Sequence, residues 1–250
     1  MKQVHFLNGD ALLYQFPESI PGERLVMREC LIEGPVNGRS LDSFYRDRLE
    51  FLQFEYGATE EAYMTKTISE FEKLAELPDD HEINLWFEQD LFCQTNLWFI
   101  SYFLNLHKKK NPTYLIMPQE FSSYGFAALD SKELLALYKG RKPFAHIVEF
   151  AAIWEYYRSG EDDRLWQTAL DLNKIYPFMA ETVKAHLERR VTETSLGRPI
   201  NSLIDIIKEL DTTDFSSVFK EFSLREGVYG FGDLQVKRLY DQIISQELHL

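Results

Sequence analysis

The sequence predicts an α/β protein, a layered and mostly parallel sheet followed by a mainly helical region. Three observations predict it. In the first half, short apolar runs at residues 4–7, 24–27, 83–87 and 114–117 alternate with longer amphipathic segments, the pattern of a parallel sheet covered by helices. Past residue 125 the short apolar runs stop and segments of helical period follow one another. At 250 residues with 45% hydrophobic side chains, the chain is long enough to bury a core without disulfides or metal. These place a Rossmann-like α/β domain at residues 1–125 and a helical domain at 126–250, the latter with a winged-helix-like end as an alternative.

The elements follow in order. Residues 4–7 form a strand ended by Asn8-Gly9-Asp10, and residues 11–16 begin a helix that the Asp10 carboxylate is placed to cap. Pro21-Gly22 turns the chain into the second strand, which Arg28 and Glu29 close before Glu33-Gly34-Pro35 breaks it. Residues 40–56 and 60–77 carry apolar side chains at mixed three- and four-residue spacing and read as two amphipathic helices. The third strand ends in Glu88-Gln89-Asp90, a long apolar helix covers 91–107, and the fourth strand stops at Pro118. Three lysines, Lys108 to Lys110, fit a helix carboxyl end, where positive charge complements the dipole. Helical patterns then cover 131–139, 144–158, 162–173, 177–193, 201–210, 215–222 and 233–246, with one short strand expected at 227–231.

Forty acidic and 27 basic side chains give a net charge of −13, which repels nucleic acid and anionic membranes unless basic residues cluster locally. To Glu120 the balance is −9, and beyond it −4, so the helical part is the more nearly neutral. The acidic run between Glu55 and Glu82 reads as a solvated helix face. Cys30 and Cys93, widely separated, suggest free thiols in a reducing cytoplasm. No run approaches the roughly 18 apolar residues of a membrane span, and the amino terminus lacks a signal-peptide pattern.

Ligands of open parallel sheets bind beyond the carboxyl ends of the strands, where helix amino termini and loops converge. The residues there define the candidate site: Asn8, Gly9 and Asp10 after the first strand, Arg28 and Glu33 after the second, Glu88 and Asp90 after the third, and Gln94 one helical turn beyond. Asn8 offers hydrogen bonds, Gly9 a close backbone approach, and Arg28 a fork for a carboxylate or phosphate. Asp10 and Asp90 are equally suited to capping helices. Asp10, Glu88 and Asp90 form a weak set of hard oxygen ligands for magnesium or manganese, and with a metal they would suit phosphate-ester hydrolysis. Neither the dinucleotide fingerprint nor a Walker-type loop is present. The six histidines, scattered without metal-ligand spacing, and the tryptophans read as packing or surface residues.

Two stretches add a resemblance. Val4-His5-Phe6-Leu7-Asn8-Gly9-Asp10, the segment from Ile20 to Glu29, Glu33-Gly34-Pro35, and the segment from Leu85 to Gln94 resemble the bacterial domain-of-unknown-function family 1835 over residues 3–120. Trp154, Leu187, Leu196-Gly197 and Phe231-Gly232-Asp233 resemble domain-of-unknown-function family 3658, a helical companion domain. The resemblance implies two parts and a strand-end site, and it imports no reaction and no cofactor.

The expectation is a cytoplasmic protein that binds a small polar or anionic ligand, nucleotide-like molecules included, at the strand ends. Whether it is an enzyme, and its oligomeric state, stay open. The alternatives are a metal-dependent phosphate-ester hydrolase and a regulatory protein whose helical part holds a partner or touches DNA through Lys237 and Arg238.

Overall fold

A computed structural model describes residues 2–122 and 124–245. Its first half alternates β1 (Lys2–Asn8), α1 (Asp10–Gln15), β2 (Glu23–Met27), α2 (Leu41–Tyr56), α3 (Glu60–Tyr63), α4 (Ser69–Glu76), β3 (His81–Trp86), α5 (Leu91–Leu106) and β4 (Thr113–Ile116). The second half contains α6 (Ser131–Lys139), β5 (Lys142–Pro143), α7 (Ile147–Ser159), α8 (Asp162–Leu172), α9 (Met179–Glu188), α10 (Arg198–Leu210), α11 (Phe215–Arg225) and α12 (Asp233–Ile244). The α/β class and the layout of sheet first, helices after, are as the sequence predicts.

The sheet runs β2-β1-β3-β4-β5, with β1 to β4 parallel and β5 antiparallel to β4. Chain order therefore reverses direction between β1 and β3, the place where a crevice opens beyond the strand ends of such sheets. Alternate side chains divide the core. Leu7, Trp86 and Ile116 pack with Leu12 of α1, Phe16 just after it, Phe126 of a 3₁₀ turn at Gly125–Ala128 and Leu134 of α6. Val4, Phe6, Leu25, Ile83 and Leu85 face Phe44, Phe71, Leu97 and Phe99 on the other side, a core that continues through Phe150 and Trp154 to Leu203, Phe222 and Val236. Helix α5 is buried nearly all round because it lies between the sheet and α7, which explains its unbroken apolar sequence. Within the smaller core, His5 accepts a hydrogen bond from Trp86 Nε1 at 3.1 Å and contacts the Pro21 carbonyl at 3.0 Å, while burial lowers its pKa to about 4. It is a satisfied core histidine.

Several boundaries differ from the sequence expectation. The segment 60–77 is interrupted by a π turn at Met64–Ile68, whose Lys66 carbonyl accepts from Arg28 Nη1 at 2.6 Å. Helix α1 is capped by Gly9, with no side-chain cap, because the Asp10 carboxylate turns instead to Arg28. The strand expected at 227–231 is a 3₁₀ turn at Gly227–Tyr229. The expected end of the last helix, Gln246, lies outside the described residues. Helix α6 and β5, both past residue 125, are added to the sheet layer, since Leu134 and Tyr138 cover the face that α1 leaves open. Lys109 does meet a helix carboxyl end, that of α4, where it donates to the Ala75 carbonyl at 3.2 Å.

Candidate functional site

A cavity of about 450 Å³ opens at the reversal point between β1 and β3. Its floor is Asn8 from β1, Glu88 and Asp90 from the β3-α5 turn, and Phe92 and Cys93 from the first turn of α5. The turn is built locally. Asp90 caps α5 by accepting from the Cys93 amide at 2.9 Å, and Gln94 Nε2, one turn on, donates to the Glu88 carbonyl at 2.6 Å. Asn8 is held from both sides, donating to Cys93 Sγ at 2.9 Å and accepting from Asn96 Nδ2 at 2.8 Å.

The side chains at the floor are electrostatically strained. Oxygens of Glu88 and Asp90 and the sulfur of Cys93 lie within 4.8 Å of one another. Burial, with the Asp90 charge beside it, pushes the Glu88 carboxyl up to about 7, even though the Phe126 amide and the Cys93 thiol both donate to it. Burial also raises Asp90, and burial plus the two carboxylates raises the Cys93 thiol. Cys93 lies in the first turn of α5, whose dipole favours a thiolate, but burial and two acidic neighbours outweigh that dipole. Both carboxyls are shifted toward their protonated forms, which suits acid-base work.

The walls come from later in the chain. Tyr124 and Gly125 close one side, and Phe219, Phe222, Ser223, Glu226, Gly230 and Phe231 close the other. Two glycines make the approach possible. At Gly125, with φ of 48°, a Cβ would lie 1.8 Å from Glu88 Oε1, and at Gly230, with φ of 63°, 1.9 Å from Asp90 Oδ1.

Of the residues singled out in the sequence, the structure brings Asn8, Glu88 and Asp90 onto the cavity wall. Gln94 stands behind it, wholly buried, with its amide on the Glu88 carbonyl and its Oε1 without a partner. Gly9, with φ of 96°, donates its amide to the Met27 carbonyl at 3.0 Å. Asp10 and Arg28 form their own ion pair at 2.8 Å away from the cavity lining, so the expected metal trio is not assembled; Cys93 takes the place that Asp10 was expected to hold. Glu33 accepts from Tyr56 Oη and from Arg238 Nη1 at 3.4 Å, beside a smaller cavity of about 230 Å³. Lys237 donates to Asp241 at 2.7 Å and Arg238 also pairs with Glu55 at 3.1 Å, so both basic residues of α12 are committed to carboxylates.

Sequence reasoning missed the aromatic wall from α11 and the turn before α12, because nothing in the local pattern around Phe222 or Phe231 places it opposite Asp90. The one signal was Phe231-Gly232-Asp233 in the second resemblance. Comparison of the chain with protein-family models, curated proteins and solved structures finds no match. The resemblance to the two families rests on the quoted motifs alone. No helix among the described residues is long and apolar enough to cross a membrane.

Proposed function

We propose that the protein binds a small polar molecule in the strand-end cavity, with Glu88 and Asp90 as the groups that orient it and exchange protons with it. The observation that carries this is their convergence, with perturbed carboxyls, on the wall of a cavity of about 450 Å³ at the β1/β3 reversal point. A volume of that size fits one small molecule. Arg28, the sequence's candidate for an anionic group, is occupied by Asp10 and the Lys66 carbonyl, and the lining among the described residues contains neither lysine nor arginine. Two free, buried thiols suit a reducing compartment, in keeping with a cytoplasmic location.

The test is ligand-induced thermal stabilisation of the full chain and of a cavity-filling variant, Ser223→Trp. Stabilisation by at least one of a panel of amines, sugars and nucleotides, abolished by Ser223→Trp, supports the site. Stabilisation by the same compounds in both proteins would place binding elsewhere.

A further inference from the structure

The chain gives its buried carboxylates cations of its own, with one exception. Among the described residues Glu29, Glu70, Glu82, Asp90 and Glu226 are buried. Glu29 pairs with Arg48 at 3.0 Å, Glu70 with Lys73 at 2.8 Å, Glu82 with Arg141 at 2.9 Å and Glu226 with Arg198 at 2.9 Å. Asp90, 8% exposed and facing the cavity, has no lysine, arginine or histidine of the described residues within salt-bridge distance, and neither has Glu88 beside it. A buried carboxylate needs a compensating positive group or a proton. Here that position is open to the cavity.

The aromatic row behind this wall already takes one cation. Glu226 lines it, and the guanidinium paired with Glu226, that of Arg198, lies 5.7 Å from the centroid of the Tyr229 ring. Tyr229 stacks on Phe231 with centroids 5.3 Å apart, and Phe231 runs parallel to Phe222 at 6.4 Å. Phe222 and Phe231 then face into the cavity with Phe92 and Phe219. One end of this aromatic row thus already holds a guanidinium between a ring face and a carboxylate. Its other rings line the same cavity as Glu88 and Asp90, which have none.

Resting on the ligand site proposed above, we infer that the cavity takes a small organic cation, an ammonium or guanidinium on an apolar body. Its charge sits against Glu88 and Asp90 and its body against Phe92, Phe222 and Phe231. Ring faces attract cations and bury the hydrocarbon part, while the carboxylate pair supplies charge and directed acceptors. A divalent metal would use the trio of Glu88, Asp90 and Cys93 and leave the aromatic wall without a role. Asn8 Nδ2, a donor aimed at the Cys93 sulfur, also occupies the thiol side of such a metal site.

Calorimetric titration of the full chain decides it, with phenethylguanidinium as the guanidinium probe and phenethylammonium as the ammonium probe. Phenethyl alcohol is their neutral counterpart; adenosine monophosphate and magnesium and manganese chloride complete the set. At least one of the two organic cations is expected to bind, at least about tenfold more tightly than phenethyl alcohol. Asp90→Asn, which keeps a good helix cap, and Glu88→Gln are each expected to weaken that binding by about tenfold or more without unfolding the chain. Binding of phenethyl alcohol or adenosine monophosphate in preference to both cations, lost in Ser223→Trp, would overturn the cationic class and leave the cavity site standing. Preferential binding of magnesium or manganese, lost on Cys93→Ser, would overturn it in favour of a metal. No binding by any probe would overturn the cationic class, and if the wider ligand panel also fails, the cavity site falls with it.

Discussion

The Gly230 Cα stands so close to Asp90 that a Cβ on it would lie 1.9 Å from the carboxylate Oδ1. The helical half of the chain therefore closes on the sheet's own helix cap without room for one methyl group. Gly230→Ala must both hold alanine at φ of 63° and move the carboxylate. A destabilisation of roughly 2 kcal/mol is expected from the left-handed backbone and the displaced contact. Urea unfolding measures it; an unchanged midpoint would mean that the turn moves away from Asp90 freely.

Glu88 makes stability depend on pH in a direction unusual for a carboxylate. Its folded pKa of about 7 exceeds the ordinary 4.5, so across that window the folded chain keeps a proton that the unfolded chain has released. This contribution is complete below about 4.5 and is lost as pH rises through 7. Asp90 and Cys93 face the same group, from the turn and from α5, and the Phe126 amide donates to it from the 3₁₀ turn. His5 and His186, held by burial at about 4 and about 2, act oppositely, losing stability as pH falls below 6.5. The difference between Glu88→Gln and the parent isolates the carboxyl: the variant should gain relative stability from pH 5 to 8 in thermal scans. A constant difference would show that Glu88 titrates normally.

Glu29 and Arg48, both without exposed side-chain surface, form an ion pair that also takes hydrogen bonds from Tyr63 at 2.6 Å and gives one to the Cys30 carbonyl at 2.9 Å. Arg48→Met leaves Glu29 buried and unpaired, and a loss of about 3–5 kcal/mol is expected. Adding Glu29→Gln should recover part of it. A double-mutant cycle by denaturant unfolding reads the coupling, and simple additivity of the two losses would contradict the pairing.

Arg238 ties α12 to the sheet side of the molecule through Glu33 at 3.4 Å and Glu55 at 3.1 Å. Its side chain is 32% exposed, so Arg238→Ala should cost only about 1 kcal/mol globally. Amide exchange in α12 should nonetheless quicken relative to α5. Equal protection in both proteins would assign the docking of α12 to its apolar face alone.

The sheet was legible because strands and helices differ in period and the strand ends are marked by polar residues: Asn8, Met27-Arg28 and Trp86 to Glu88 fall at or next to the observed ends. The floor of the site was legible for the same reason. Its partners were not, since whether Arg28 meets a ligand or Asp10 depends on a side-chain rotation that spacing does not encode. The Glu29–Arg48 pair joins a loop to the middle of a helix, and Gly230 is separated from Asp90 by most of the second half of the chain. Such meetings follow from how elements pack, and no local pattern announces them.

Hydrogen bonds such as that from Gln235 to Cys30 Sγ, across a sequence separation of 205 residues, close the molecule only after nearly the whole chain has been brought together. Contacts of that span are entropically expensive to nucleate and form late. The floor of the cavity can fold with the sheet while its aromatic wall cannot. In refolding, recovery of the sheet should therefore run ahead of recovery of an enclosed cavity, and an early compact species would present Asp90 to water with an ordinary acidity.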